Sequence, residues 1–283
     1  MNFVLSSLSE GLLWSIMAIG VYLTFRILDI ADMTAEGAFP LGAAVVASQI
    51  QAGRNPWIAT LLGFLAGMIA GLVSGILHTK MKIPALLTGI VTLTGLYSIN
   101  IKIMGGVPNL SIGDADTIFK SVMKFGLSNE EAVFLISISC LIIVCILLTL
   151  LMKTQLGLVL RSTGDNIPMS EANGVNVDNM KMLGYMISNG LIALCGAMFA
   201  QNDGFSDVTS GTGTIVVGLS AVIIAEVLIH DFFSNWSFGG GGYPIWPHRN
   251  DATIHRYGER SWHFLSSPRA SSHPLKSQDF QTS

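Results

Sequence analysis

Charge is the scarcest property of this 283-residue sequence. Only 12% of the residues are Asp, Glu, Lys or Arg, whereas 51% are hydrophobic, and the mean hydropathy is +0.58. A soluble domain carries about twice that fraction of charged residues. The lipid bilayer is therefore the expected solvent for most of the chain. The net charge of -3 also gives no basis for binding nucleic acid.

Cysteine and catalytic signatures are also scarce. The three cysteines, Cys140, Cys145 and Cys195, lie inside apolar runs, which indicates packing rather than disulfides or metal ligands. The histidines lack a ligand spacing such as His-x3-His, so neither a metal nor another cofactor is expected. The sequence contains no Walker A pattern, no HExxH and no Gly-x-Ser-x-Gly. The chain is thus not expected to be an enzyme.

Long apolar runs dominate what is present, and they predict an all-α, polytopic bundle of transmembrane helices. Most are close to the ~20 residues that cross a bilayer. The first is interpreted as a retained span, since no basic region or cleavage site precedes it. The second is short, follows a polar stretch and contains Pro40, which favours a broken or re-entrant helix. The runs are residues 11–30, 37–50, 57–77, 85–104, 133–152, 182–200 and 213–229.

The charges in the loops predict the orientation of the bundle. Residues 78–82 and 153–181 carry basic side chains close to the spans, which places both loops in the cytoplasm. Residues 105–131 and 201–212 are richer in acids and are expected outside. These loops agree on one topology for a multi-pass protein of the cell membrane.

Two smaller features concern packing. Gly63, Gly67, Gly71 and Gly75 recur every four residues, share one helical face and predict close approach to another helix. Glu226 lies near the inner end of the last run and is expected either to pair with a cation or to sit at the interface.

The first polar cluster occupies residues 29–37, DIADMTAEG. Asp32 and Glu36 are four residues apart, so they can share a helix face, and acids beside a membrane span are costly and often functional. One interpretation is an element of the translocation path or its gate. The other is a short hydrated loop in which Asp32 or Thr34 caps the next helix. The residues alone leave both open.

The second polar cluster lies within residues 153–181, KTQLGLVLRSTGDNIPMSEANGVNVDNMK. Gly164, Asp165 and Asn166 have the chemistry of a turn. Asn166 or Ser170 is predicted to cap a short helix that Gly174 ends. Such a helix is suited to bind a soluble partner. The alternative is that the segment is a plain cytoplasmic connector.

Residues 11–44, 160–181 and 188–228, which include most of both polar clusters, resemble the membrane subunit of a bacterial ABC importer. The chain is similar to the branched-chain amino-acid permeases, and especially to a subgroup linked to aromatic amino acids. The resemblance implies a translocation path for a small solute, a separate cytoplasmic ATP-binding subunit and an extracytoplasmic solute-binding protein. It also implies a second permease copy, with a homodimer favoured, in the bacterial inner membrane.

The resemblance also assigns site residues. It places a coupling helix within residues 161–181 and a broken helix near the translocation path at residues 32–37. For the path it implies Asp32, Thr34, Glu36 and Gly37. For contact with the ATPase it implies Arg161, Thr163, Gly164, Asp165, Asn166, Ala172, Gly174 and Asp178.

The C-terminal part departs from the family. Residues 1–230 are interpreted as the permease domain, incomplete at its C-terminal end, and residues 231–283 as a polar, poorly ordered tail. The tail lacks apolar periodicity, whereas family members continue with further spans, so a frameshift is one hypothesis for it. Two other functions stay open: an ion-driven secondary transporter, and a membrane remnant or scaffold without transport.

Overall fold

The chain forms an almost entirely helical bundle. In this computed structural model, residues 2–113, 115–123 and 128–237 are described. The elements are α1 (Asn2–Tyr22), a π-helix (Leu23–Ile27), α2 (Ala35–Gln51), α3 (Pro56–Thr79), α4 (Ala85–Ile103), β1 (Asn109–Ser111), α5 (Ile118–Met123), α6 (Asn129–Lys153), α7 (Gln155–Asp165), α8 (Ile167–Ala172), α9 (Val177–Asp203), β2 (Phe205–Asp207) and α10 (Thr214–Ser237).

Helix α9 is the centre of the bundle. Among the described residues, five helices are long and apolar enough to cross a membrane, and the apolar stretch of α9 is 72% buried, whereas that of α6 is 22% buried. Helices α1, α2 and α3 pack directly around α9. The predicted all-α, polytopic membrane bundle is confirmed.

The glycine stripe of α3 is the seam along which α3 meets α9. A side chain on Gly71 would collide with the carbonyl oxygen of Tyr185, and one on Gly67 would collide with Ala193. A Cβ on Gly75 would lie 2.9 Å from the Cα of Met182. Because glycine has no side chain, the backbones of these two membrane helices are in contact, as the four-residue spacing predicted.

The loops gather at two ends of the bundle. The basic end holds residues 78–84 and 153–176, and the opposite end holds residues 104–113, 115–123 and 204–213. At the opposite end, β1 and β2 pair antiparallel, with Leu110 facing Ser206. The two loops predicted to lie outside are therefore joined to each other.

The chain leaves its helical path between α1 and α2. The π-helix ends at Ile27, residues 28–34 are not helical, and α2 begins only at Ala35. A Cβ on Gly37 of α2 would touch Leu96, which lies about 16 Å along α4 from its start at the basic end. Helix α2 therefore starts inside the bundle. It runs to the opposite end, since Gln51 and Pro56 are close in sequence.

Helix α10 also starts inside the bundle. A Cβ on Gly211 would meet Pro40 of α2 at 2.7 Å, so residues 208–213 descend from β2 along α2 before α10 begins. From there α10 runs beside the end of α1. Glu226 forms an ion pair with Arg26 there, with Nε and Oε1 2.5 Å apart, so its predicted pairing with a cation is confirmed.

The helix α10 continues to Ser237, beyond the predicted domain boundary at residue 230. The chain divides into two compact units, residues 1–227 and residues 228–283. The remainder of the predicted tail, residues 238–283, lies outside the described residues.

Candidate functional site

A buried polar cluster fills the gap between the π-helix and α2. We call Asp32, Thr34, Ser74, Tyr185 and Asn189 the Asp32 node; all five are buried. One carboxylate oxygen of Asp32 accepts a hydrogen bond from the Thr34 amide at 2.9 Å. The other accepts from Nδ2 of Asn189 at 2.7 Å. The hydroxyls of Thr34 and Ser74 are 2.8 Å apart and share a hydrogen bond. The node thus fastens residues 28–34 to both α3 and α9.

His78 brings the basic end close to the node. Its ring centroid is 5.9 Å from that of Tyr185, and its Nδ1 is 2.9 Å from the carbonyl oxygen of Ile83. An imidazole near the basic loop therefore packs beside Tyr185 of the node.

Glu36 and Gly37 lie one turn further along α2 and make different contacts. The Glu36 carboxylate accepts a hydrogen bond from the amide of Gly213 at 3.1 Å, immediately before α10. The carbonyl oxygen of Gly37 accepts from Nδ2 of Asn100 at 3.3 Å. Glu36 thus joins the two places where helices begin inside the bundle. Both acids reach across the bundle, Asp32 to Asn189 of α9 and Glu36 to Gly213, and Asp32 is also a turn acceptor for Thr34.

The basic end carries the short capped helix that the sequence predicted. Asn166 accepts a hydrogen bond from the amide of Met169 at 3.0 Å and so caps α8. After α8, Gly174 has φ +78°, the left-handed conformation that glycine adopts most readily. The predicted cap and the predicted stop are both confirmed.

The predicted turn at residues 162–166 is wrong in part. Ser162, Thr163, Gly164 and Asp165 belong to α7, and the chain leaves the helix only at Asn166. The glycine serves close packing instead of a turn, because a side chain on Gly164 would collide with the carbonyl oxygen of Ile27. Its local turn preference is overridden by this tertiary contact.

The residues assigned to ATPase contact separate into two groups. Thr163 is buried, with its hydroxyl donating to the Val159 carbonyl at 2.8 Å, and Gly164 packs on the π-helix. Asp178 is half-buried in the first turn of α9. The exposed members are Arg161, Asp165, Asn166, Ala172 and Gly174. Only these five of the eight residues are exposed at the surface.

The two predicted clusters are connected through the chain itself. Gly164 of α7 touches Ile27, the last residue of the π-helix, and Gly184 of α9 touches Leu28. A few residues further on lies Asp32. One short, non-helical stretch therefore connects α7 with the Asp32 node.

Several buried side-chain amides lie inside an apolar run or directly after one. Asn100, Asn189 and Gln201 are buried, and Gln201 donates to the hydroxyl of Thr60 at 2.7 Å. None of these was singled out from the sequence. An amide side chain within a predicted span is itself a signal, because buried polar groups in a bilayer need partners.

The sequence model of a family described as "Branched-chain amino acid transport system / permease component" matches residues 3–239. The chain belongs to this family. It is a transport permease subunit and a multi-pass protein of the bacterial inner membrane.

The permease also matches individual relatives. A tyrosine transport system permease protein of Clostridioides difficile is 44% identical over 234 residues, covering 82% of this chain and 76% of that protein. An uncharacterized protein of Rickettsia prowazekii is 35% identical over 237 residues, covering 84% and 81%. The autoinducer 2 import system permease protein LsrC of Salmonella paratyphi B is 27% identical, covering 80% and 63%. No solved structure matches the permease.

Proposed function

We propose that this permease carries an amino acid as part of an ABC importer and that α8 is the contact for a separate ATPase. The observation that supports this most directly is the position of α8. It lies at the basic end, is capped by Asn166, and exposes the apolar side chains of Ile167 and Met169. Exposed apolar side chains outside the spans are typical of a surface that binds another protein.

The same position supports a route for coupling. Ser170 of α8 donates to the Ser162 hydroxyl of α7 at 3.3 Å, and Gly164 of α7 packs on Ile27. A push on α8 thus moves α7, then residues 28–34, and then α2 through the Asp32 node. Thr163 and Gly164 belong to this internal link, while the exposed Asp165, Asn166 and Ala172 are nearer to the partner.

The path for the solute is proposed to follow the start of α2. Asp32, Thr34, Glu36 and Gly37 lie where two chain breaks meet inside the bundle, and helices broken at mid-depth form substrate sites in other transporters. The tyrosine permease relative supports an amino acid as the class of solute. A solute-binding protein would dock at the opposite end, and a second permease copy would complete the path.

Co-purification with the ATPase tests the contact. Met169→Asp places a charge on the exposed apolar face of α8, and we expect it to reduce the recovered ATPase at least tenfold. Asn166→Ala removes the cap, at a cost of about 0.5–2 kcal/mol, and should weaken the complex, whereas Asn166→Asp keeps the cap and should retain it.

A matched control uses the other end of the molecule. Val107→Asp introduces the same charge at a similarly exposed apolar residue of the opposite end. It should leave ATPase recovery at the wild-type level. Normal recovery with Met169→Asp, or equal losses in both variants, would place the contact elsewhere.

A further inference from the structure

Two oxygen atoms of the Asp32 node have no hydrogen-bond partner among the described residues. Among the described residues, Oδ1 of Asn189 and the hydroxyl of Tyr185 are buried and form no hydrogen bond. Both residues are 0% exposed. Nδ2 of Asn189 donates to Asp32 and to the carbonyl oxygen of Tyr185, whereas Oδ1 of the same carboxamide receives no hydrogen bond from the described residues. A buried polar atom without a partner costs about 1–3 kcal/mol, which makes two in one cluster noteworthy.

The node also holds a carboxylate without a cationic partner. Asp32 is 1% exposed, and within the described parts of the chain no Lys or Arg forms a salt bridge with it. Lys80 and Lys82 on the adjoining loop are exposed, and Glu36 is engaged with Gly213. His78 on α3 lies beside Tyr185, with 5.9 Å between the ring centroids, and its Nδ1 is engaged with the carbonyl oxygen of Ile83. A buried charge needs a partner of opposite sign.

A proton, a water molecule or a cation could occupy the node. They differ in whether they neutralise the carboxylate, pair the two oxygen atoms, or do both. A proton on Asp32 neutralises the carboxylate but leaves the Asn189 oxygen and the Tyr185 hydroxyl unpaired. A water molecule pairs those oxygens but leaves the charge uncompensated. A cation bound by oxygen atoms does both at once.

We infer that the Asp32 node binds one alkali cation, Na⁺ or K⁺. One carboxylate balances one positive charge, whereas a divalent ion would leave a net charge buried in the bundle. Hard cations bind oxygen, and the node supplies it from an acid, an amide and three hydroxyls. The oxygen ligands are the Asp32 carboxylate, Oδ1 of Asn189, and the hydroxyls of Tyr185, Thr34 and Ser74.

The position of the node gives the ion a structural consequence. Its ligands come from residues 28–34, from α3 and from α9, so the ion fastens the non-helical stretch to two packed helices. Binding to the folded state alone raises stability. The inference rests on these contacts and does not depend on which solute the permease carries.

Thermal unfolding of the purified permease in detergent tests the site. Chloride salts of N-methyl-D-glucamine, Na⁺ and K⁺ are compared at constant ionic strength and fixed pH. An alkali cation at about five times its dissociation constant should raise Tm by about 2–4 °C. Asp32→Asn should abolish that shift. Asp29→Asn, in the same stretch but exposed, removes an acid at φ +57°, which Asn tolerates, and should keep the shift.

Hydrogen exchange of the wild-type permease provides a readout that needs no variant. Added Na⁺ or K⁺ should slow exchange in the part of α9 around Tyr185 and Asn189. Equal Tm values and equal exchange in all three salts would overturn the inference. So would a cation response that Asp32→Asn retains, or a stability that follows pH alone, which would identify a proton as the occupant.

Discussion

The carboxylate of Glu36 accepts a hydrogen bond from the backbone amide of Gly213, 177 residues further along the chain. The two residues mark the points where α2 and α10 begin inside the bundle. A side chain on the nearby Gly211 would collide with the carbonyl oxygen of Glu36, so the two segments are also in direct backbone contact. This contact joins the polar segment near the N-terminus to the last described helix.

The contact predicts a difference between two substitutions of Glu36. Glu36→Ala removes the acceptor, and a hydrogen bond to a charged group contributes about 1.5–3 kcal/mol. We expect solute uptake per inserted copy to fall about tenfold. Glu36→Gln keeps an acceptor oxygen and should lose less than threefold. Radiolabelled uptake normalised to membrane-inserted protein gives the measurement, and wild-type uptake in Glu36→Ala would show that this contact is not needed for transport.

A second prediction concerns the seam between α3 and α9. Gly71→Ala places a methyl group against the carbonyl of Tyr185, which forces the helices apart and should destabilise the fold by about 1–3 kcal/mol. Gly95→Ala is the matched control, because nothing lies within 4 Å of that position. Thermal unfolding in detergent should separate the two variants. Equal Tm values would mean that the seam relaxes without cost.

A third prediction concerns the link between α7 and the π-helix. Gly164→Ala should displace α7 from Ile27 while leaving the exposed face of α8 intact. On the proposed coupling route, the ATPase should still bind, but uptake per ATP hydrolysed should fall at least threefold. Gly11→Ala, which meets nothing within 4 Å, should leave that ratio unchanged. Loss of ATPase binding in Gly164→Ala would instead show that α7 positions the docking surface.

A fourth prediction concerns pH at the opposite end. The side chain and backbone amide of Thr209 donate to Asp207 at 2.6 Å, and these bonds hold the pKa of Asp207 below its usual range. Stability from this contact is present above the unfolded pKa of about 3.9 and is lost as pH falls through the lower folded value.

Hydrogen exchange of the segment around β2 should therefore accelerate as the pH falls below about 4, after correction for the intrinsic pH dependence of exchange. Asp207→Asn should remove that step and leave faster exchange at neutral pH. A step that persists in Asp207→Asn would have to arise from another acid.

The spans and the capped helix α8 were predictable because their signals are local. Apolar length sets the spans, and the side chain of Asn166 and the backbone of Gly174 set the ends of α8 through their immediate neighbours. The glycine face of α3 was predictable too, since four-residue spacing places glycines on one side of a helix. The identity of its partner, α9, was not predictable from that spacing.

The site itself depends on contacts that sequence order hides. Asp32 meets Asn189 across 157 residues, and no local pattern pairs them. The same cause explains the misplaced turn at Gly164, where contact with Ile27 outweighs the turn preference of the segment. The amides within the apolar runs were visible in the sequence and gave the strongest unused signal.

The pairing of α1 with α9 has a consequence for how the chain is made. The hydroxyl of Ser188 donates to the carbonyl of Gly20, 168 residues earlier. At about 5–20 residues per second, a ribosome needs roughly ten to thirty seconds to synthesise that interval. During this time α1 is in the membrane without the helix that covers its inner face. A chaperone or the insertion machinery that shelters α1 would thus act chiefly in the interval before α9 emerges.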